Sequence, residues 1–141
     1  MVTSHDHREN SDHDGQGCPF CDPDFSRVLA VNDLAIAILD GYPVSPGHTL
    51  ILPKRHFASL FEATAEELAA LFDLLDEVCR RLKTELQPDG FNIGINDGAA
   101  AGQTVFHLHI HVIPRYVGDC EDPRGGVRWV LPERAAYWTS L

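Results

Sequence analysis

The sequence predicts a small α+β domain, and three observations carry that reading. Short apolar runs of strand length recur at residues 28–31, 34–39, 48–52 and 91–96. One long amphipathic segment, residues 64–86, stands among them. Residues 107–115 read HLHIHVIPR, in which His107, His109 and His111 alternate with Leu108, Ile110 and Val112. Period two marks an extended strand, because successive side chains point to opposite faces. One face would then carry imidazoles and the other aliphatic groups for a core.

At 141 residues the chain suits one domain with one core. Hydrophobic residues make up 44% and charged residues 23%, which excludes wholesale disorder and fibrous classes. No apolar run reaches the ~20 residues of a membrane helix. The opening MVTSHDHRENSDHDGQG has neither the basic nor the apolar region of a secretory signal, so a cytoplasmic location and no membrane partner are expected. The net charge of −10, with only 11 Lys and Arg, mostly isolated, argues against nucleic acid as a partner. A small phosphorylated ligand is compatible with that charge, since backbone amides and imidazoles can hold it locally.

Residues 1–16 are polar, carry His5, His7 and His13, and show no apolar period, so they read as a disordered tail. Cys18 and Cys21 form the pair CPFC, which in a reducing compartment suits metal binding or redox chemistry better than a structural disulfide. Cys79 falls on the apolar face of the long helix and Cys120 in a polar loop. Asn32-Asp33 between two aliphatic runs signals a hairpin. DGYPVSPGH forces a loop before the strand at 48–52, which Pro53 ends.

In the helix, Leu68, Leu71, Phe72, Leu75, Val78, Cys79, Leu82 and Leu86 follow three-four spacing, and Thr64 with Glu67 makes a capping box. Pro88 and Gly90 stop it. FNIGIN, residues 91–96, alternates as a strand, and the small residues of DGAAAGQT leave room for a ligand near the backbone before the histidine strand begins at about residue 105. Beyond Arg115, Gly125-Gly126 and Pro132 break any long element, and Trp129, Tyr137 and Trp138 are candidates for packing or a subunit contact.

Two chemistries suit HLHIH. Imidazoles two apart on a strand can share a metal ion, although a catalytic zinc also wants an open position and a nearby acid or base, and the adjacent residues supply no carboxylate. Alternatively, a neutral imidazole attacks phosphorus and forms a phosphoramidate that water later cleaves. Histidine supplies such a nucleophile at cell pH without an external base, and a backbone carbonyl can hold the proton on its far nitrogen.

HLHIHVI resembles the His-apolar-His-apolar-His-apolar-apolar signature of the histidine triad (HIT) family. SPGHTLILPKRH, the acidic helix and GFNIGINDGAAAGQTVFHLHIHVIPR are similar to that family in the same order, over roughly residues 18–118. The resemblance implies a HIT-like fold: an antiparallel sheet of about five strands with one long helix and a short one, paired as a homodimer. The domain would span residues 17–141, with a core at 18–118 and a C-terminal extension at 119–141.

The resemblance also implies hydrolysis or transfer of nucleoside monophosphates through a nucleotidyl-histidine intermediate. His109 would be the nucleophile, with His111 at the phosphate and His48 completing the cluster. Gln103 and Thr104 would touch phosphate or leaving group, Asp40 the ribose hydroxyls, and Asn96 a further nucleotide position. Ile36, Leu39 and Leu50 would wall the base. CPFC resembles the zinc pair of one bacterial branch and of the related galactose-phosphate uridylyltransferases, which implies one structural zinc per chain on Cys18, Cys21, His56 and His107. PRYVGD and Gln103 resemble the fragile-histidine-triad type, which implies dinucleoside polyphosphates such as diadenosine tetraphosphate. Adenosine phosphoramidate hydrolysis, or a nucleotide-binding adaptor with incidental turnover, are the alternatives.

Overall fold

A computed structural model describes residues 17–140. The tail expected at 1–16, with its three histidines, lies outside the described residues. Five strands form one antiparallel sheet: β1 (Val28–Val31), β2 (Ala35–Leu39), β3 (Thr49–Pro53), β4 (Gly90–Gly94) and β5 (Ile110–Arg115), in the spatial order β1-β2-β3-β5-β4. The long helix α1 (Ala65–Leu86) lies across β1, β2, β3 and β5, and a short helix α2 (Pro132–Ala135) follows β5.

The first hairpin turns where the sequence placed it. The Asn32 carboxamide oxygen accepts from the Leu34 and Ala35 amides at 3.1 and 2.8 Å, while its Nδ2 donates to the Ala70 carbonyl at 2.8 Å and so ties the turn to α1. Thr64 caps α1 as expected: the Glu67 amide donates to its hydroxyl at 3.1 Å, and the Glu67 carboxylate accepts from the Thr64 amide at 2.9 Å. The same carboxylate, almost fully buried, takes two bonds from the Arg55 guanidinium at 2.7 and 3.1 Å. α1 ends at Gln87, whose left-handed φ of 51° precedes Pro88.

The buried stripe of α1 is Leu71, Leu74, Val78 and Leu82, which meets Ala35, Ala37, Ile51, Leu108, Ile110 and Val112 on one face of the sheet. Each such leucine or valine contributes about 2 kcal/mol. Phe72 and Leu86, placed in the stripe by spacing, are 52% and 41% exposed; the inward line runs through Leu74, with Leu75 and Cys79 packed at its margin. A smaller cluster of Ile38, Leu50 and Leu52 occupies the other face, under Phe20, Val28 and Ile36.

The histidine strand starts later than its alternation suggests. β5 pairs with β3 only from Ile110, opposite Ile51, through His111 opposite Leu50 and Val112 opposite Thr49. Continuing that register would set Leu108 against Pro53, which has no N–H to donate. The Leu108 amide turns instead to the Phe57 carbonyl at 2.7 Å, so His107 and His109 stand on the irregular segment just before the paired strand.

Candidate active site

His48 is placed by the residue before it. Gly47 has φ +87°, and a Cβ there would lie 2.7 Å from Leu86 Cδ1 and 3.2 Å from both Leu82 Cδ2 and Pro114 Cγ. Only glycine lets the loop press against the end of α1 in that conformation and turn into β3 with His48 inside.

The hydrogen bonds fix where each imidazole keeps its proton. The Val44 amide donates to His48 Nδ1 at 3.1 Å, so neutral His48 carries its proton on Nε2. That nitrogen lies 3.0 Å from His111 Nδ1 and 3.4 Å from Asp40 Oδ2. His111 therefore accepts on Nδ1 and holds its own proton on Nε2. His109 Nδ1 lies 2.8 Å from the His107 carbonyl, which can only accept, so the proton is on Nδ1 and the Nε2 lone pair is left available. The His109 and His111 rings meet edge to face at 5.0 Å.

Burial favours the neutral form of His48, His107 and His111. It pushes His111 down to about 4, helped by neighbouring His109 and His48 and opposed by the Asp40 carboxylate. Burial also lowers His48, against the same opposing carboxylate. His107 is lowered by burial first, with the Pro53 carbonyl acting the other way.

The three triad imidazoles do not converge on one metal position. His107 turns away: its Nε2 donates to the Pro53 carbonyl at 2.8 Å, which directs the Nδ1 lone pair into a second cluster. There His107 Nδ1 lies 3.6 Å from Cys18 Sγ, 3.6 Å from Cys21 Sγ and 3.2 Å from His56 Nδ1, and His56 Nδ1 is 3.2 Å from Cys21 Sγ. All four donor atoms lie within 4.8 Å of one another. A tetrahedral zinc with Zn–N near 2.05 Å and Zn–S near 2.3 Å sets its ligands about 3.3–3.8 Å apart, so the donor set and its spacing fit that ion. Asp40, His48 and His111 also gather within 4.8 Å. Here the tautomer opposes a metal, because His48 Nε2 must keep its proton while Nδ1 accepts from Val44.

The remaining expected residues divide. Asp40 accepts from the Tyr42 amide at 2.7 Å and lines a hollow of about 480 Å³ with Leu39, Pro43 and His48. Asn96 lines a larger hollow of about 740 Å³ that also reaches His48 and His111. Gln103 is a loop brace: its Oε1 accepts from Gly98 at 2.8 Å, and its Nε2 donates to the Ala58 and Val105 carbonyls at 2.9 and 3.2 Å. With both amide hydrogens engaged, its side chain has none to offer a phosphate. Thr104 is exposed on the same loop. Leu50 is core, 2% exposed, and Ile36 packs beside it, which leaves Leu39 as the expected base-wall residue that lines a hollow.

Sequence reasoning missed Phe20, the Val44 amide and the Pro53 carbonyl. Phe20 sets its ring edge against His109 at 5.0 Å and His107 at 6.2 Å. Its position inside CPFC was the available signal, since a metal held by Cys18 and Cys21 would fix whatever lies between them. The two backbone groups leave no trace in residue type.

An available imidazole lone pair beside a second, proton-bearing imidazole, on an antiparallel sheet backed by a long helix, is an arrangement that can carry covalent histidine chemistry. The HIT domain model matches residues 24–118, and the chain belongs to that family. An uncharacterised HIT-like protein of Mycoplasma genitalium is 42% identical over 103 residues, covering 70% of this chain and 73% of that protein. The AP-4-A phosphorylase of Mycobacterium tuberculosis is 40% identical over 93 residues, covering 65% of this chain and 48% of that protein. A zinc-bound histidine triad family protein from Mycobacterium smegmatis superposes with a TM-score of 0.67 at 32% identity, covering 89% of this chain and 99% of that one. The family's nucleotide hydrolases and transferases supply the functional frame.

Proposed function

We propose that this protein cleaves nucleoside 5′-phosphate conjugates by nucleotidyl transfer through His109. The carrying observation is the His109 tautomer: with Nδ1–H held by the His107 carbonyl at 2.8 Å, the Nε2 lone pair is the nucleophile. It attacks phosphorus, a P–N bond forms, and the bond from phosphorus to the leaving group breaks. Water then attacks the adduct, the P–N bond breaks, and a nucleoside monophosphate departs. His111, with its proton on Nε2, stabilises the phosphoryl oxygens, and His48 holds His111 in that tautomer. Asp40 accepts from the ribose hydroxyls, Asn96 contacts the nucleotide, and Thr104 reaches the phosphate from the loop that Gln103 braces.

Cys18, Cys21, His56 and His107 hold one structural zinc per chain. When bound, that ion ties the N-terminal segment to the histidine segment; it takes no part in the chemistry at phosphorus. The chain works as a homodimer, for which the unpaired edge of β4, with Ile93 43% exposed, is the natural surface. The kinship to AP-4-A phosphorylase supports dinucleoside polyphosphates as one substrate group, while the engagement of Gln103 weakens one feature that favoured them. Acid quenching with a substrate labelled in its nucleotidyl group should trap label on the protein, and His109→Ala should abolish both adduct and turnover. Undiminished turnover in that variant would sink the assignment.

A further inference from the structure

The histidine segment and the loop before it hang from one short stretch of chain, residues 57–60. The Leu108 amide donates to the Phe57 carbonyl at 2.7 Å, and Gln103 Nε2 donates to the Ala58 carbonyl at 2.9 Å. The Ser59 hydroxyl and the Leu60 amide both donate to Asp97 Oδ2, at 3.1 and 2.9 Å. Consecutive residues thus hold both ends of the loop 97–103 and the residue just before His109.

That stretch is itself firmly seated. Phe57 is buried in the main core with the Arg55 guanidinium 4.3 Å from its ring centre, and Leu60 packs against the same core. The Glu62 carboxylate accepts from the Ala58 and Ser59 amides at 3.2 and 3.0 Å, closing a capping box with Ser59. The loop has no comparable packing. A Cβ on Gly98 or Gly102 would find nothing within 4 Å, and Ala99, Ala100 and Ala101 between them are exposed. With little apolar surface buried, its position depends on the polar ties at its ends. Gln103 makes the tie at one end; Asp97, next to Asn96, makes it at the other.

Under the function proposed above, His109 attacks phosphorus while Thr104 meets the same phosphate from the loop. Two groups serving one phosphorus need a fixed separation, and a misplacement of about 1 Å can cost on the order of a hundredfold in rate. Hanging both from residues 57–60 supplies that fixed separation.

We infer that Asp97 is a positioning residue for nucleotidyl transfer: by joining the loop to Ser59 and Leu60 it sets Thr104 in place relative to His109. The inference rests on the nucleotidyl-transfer reading. Asp97 serves as an acceptor of two hydrogen bonds and not as a charge, so an uncharged acceptor of the same shape should replace it.

The test measures turnover of diadenosine tetraphosphate and of adenosine 5′-phosphoramidate, with acid-trapped label on the protein, at a temperature well below each Tm. The proteins compared are wild type, Asp97→Ala, Asp97→Asn, Ser59→Ala and the Ser59→Ala, Asp97→Ala double variant. Asp97→Ala is expected to lower kcat by about 10- to 100-fold with KM changed by less than about threefold, and Asp97→Asn to return kcat to within about threefold of wild type. Ser59→Ala, which removes one of the two donors, should fall between, and the double variant should be no slower than Asp97→Ala alone. A lowered Tm with kcat unchanged in Asp97→Ala makes the residue structural only and overturns the inference. So does Asp97→Asn as slow as Asp97→Ala, or losses that multiply in the double variant, since Asp97 would then act through its charge or without Ser59. If Asp97→Ala does not fold, Ser59→Ala decides: lower kcat at constant KM supports the role, and unchanged kcat overturns it. No label on wild-type protein with either substrate fails the nucleotidyl-transfer reading itself, whereas label that forms equally fast in Asp97→Ala fails only the positioning role.

Discussion

Replacing Glu67 with glutamine should remove a block of stability that exists only above a definite pH. The Glu67 carboxylate is buried, bonded to Arg55 and to the Thr64 cap, and the Arg55 bond does most to hold its pKa down to about 2 against an ordinary 4.5. At about 1.4 kcal/mol per pH unit that difference corresponds to roughly 3 kcal/mol. Arg55 is 53% exposed on its side chain, so solvent screening trims the figure to about 2 kcal/mol. The folded carboxyl releases its proton more readily than the unfolded one. Its contribution is therefore complete above pH 4.5 and disappears as pH falls through 2. Urea unfolding from pH 7 to pH 2 should show Glu67→Gln less stable by about 2 kcal/mol at the top of that range, with the two curves converging towards the bottom. A gap that stays constant across the range would refute the reasoning, since the loss would then come from packing and not from the ion pair.

A second pH effect occupies a higher window. His111, at about 4 when folded, takes up a proton more readily once unfolded, so its contribution to stability is full above pH 6.5 and declines as pH falls towards 4; His111→Gln should flatten that slope in thermal melts. Gly47→Ala, forced to φ +87° with its Cβ 2.7 Å from Leu86, should cost about 2–4 kcal/mol and lower turnover by shifting His48, measured by denaturation and kinetics together. Removing zinc with a strong chelator should release about one ion per chain by the four-donor rule and lower Tm, with turnover falling only as His107 loosens; immediate loss of turnover in fully folded protein would speak for catalytic metal. Phe20→Ala should leave zinc content unchanged yet lower kcat, because Phe20 touches His109 while making no donor atom available.

The architecture was largely legible in residue order. Strands of Val, Ile and Leu, a Thr64–Glu67 cap and the three-four stripe of the helix are local signals, and local signals survive folding. What stayed hidden depends on atoms that carry no letter. The Val44 amide chooses the His48 tautomer and the Pro53 carbonyl sets the orientation of the His107 ring, yet any residue at either place has those groups. The Phe72 error has a similar source: spacing alone cannot say which of two adjacent apolar residues faces the sheet until the helix is rotated against it. Gln103 was expected at the phosphate or leaving group, and its engagement by Gly98, Ala58 and Val105 could not be foreseen because those partners are brought together only by the fold.

Pro53 interrupts the pairing of β3 with the histidine segment, and that interruption has a use. Inside a ladder, carbonyls are taken up by the neighbouring strand, and a side chain seeking one must compete with a backbone amide. With Leu108 turned away to Phe57, the Pro53 carbonyl is left for the His107 ring, which then aims Nδ1 into the metal cluster. A residue chosen for the hydrogen bond it cannot make thus leaves free the acceptor that orients a candidate ligand of the metal cluster.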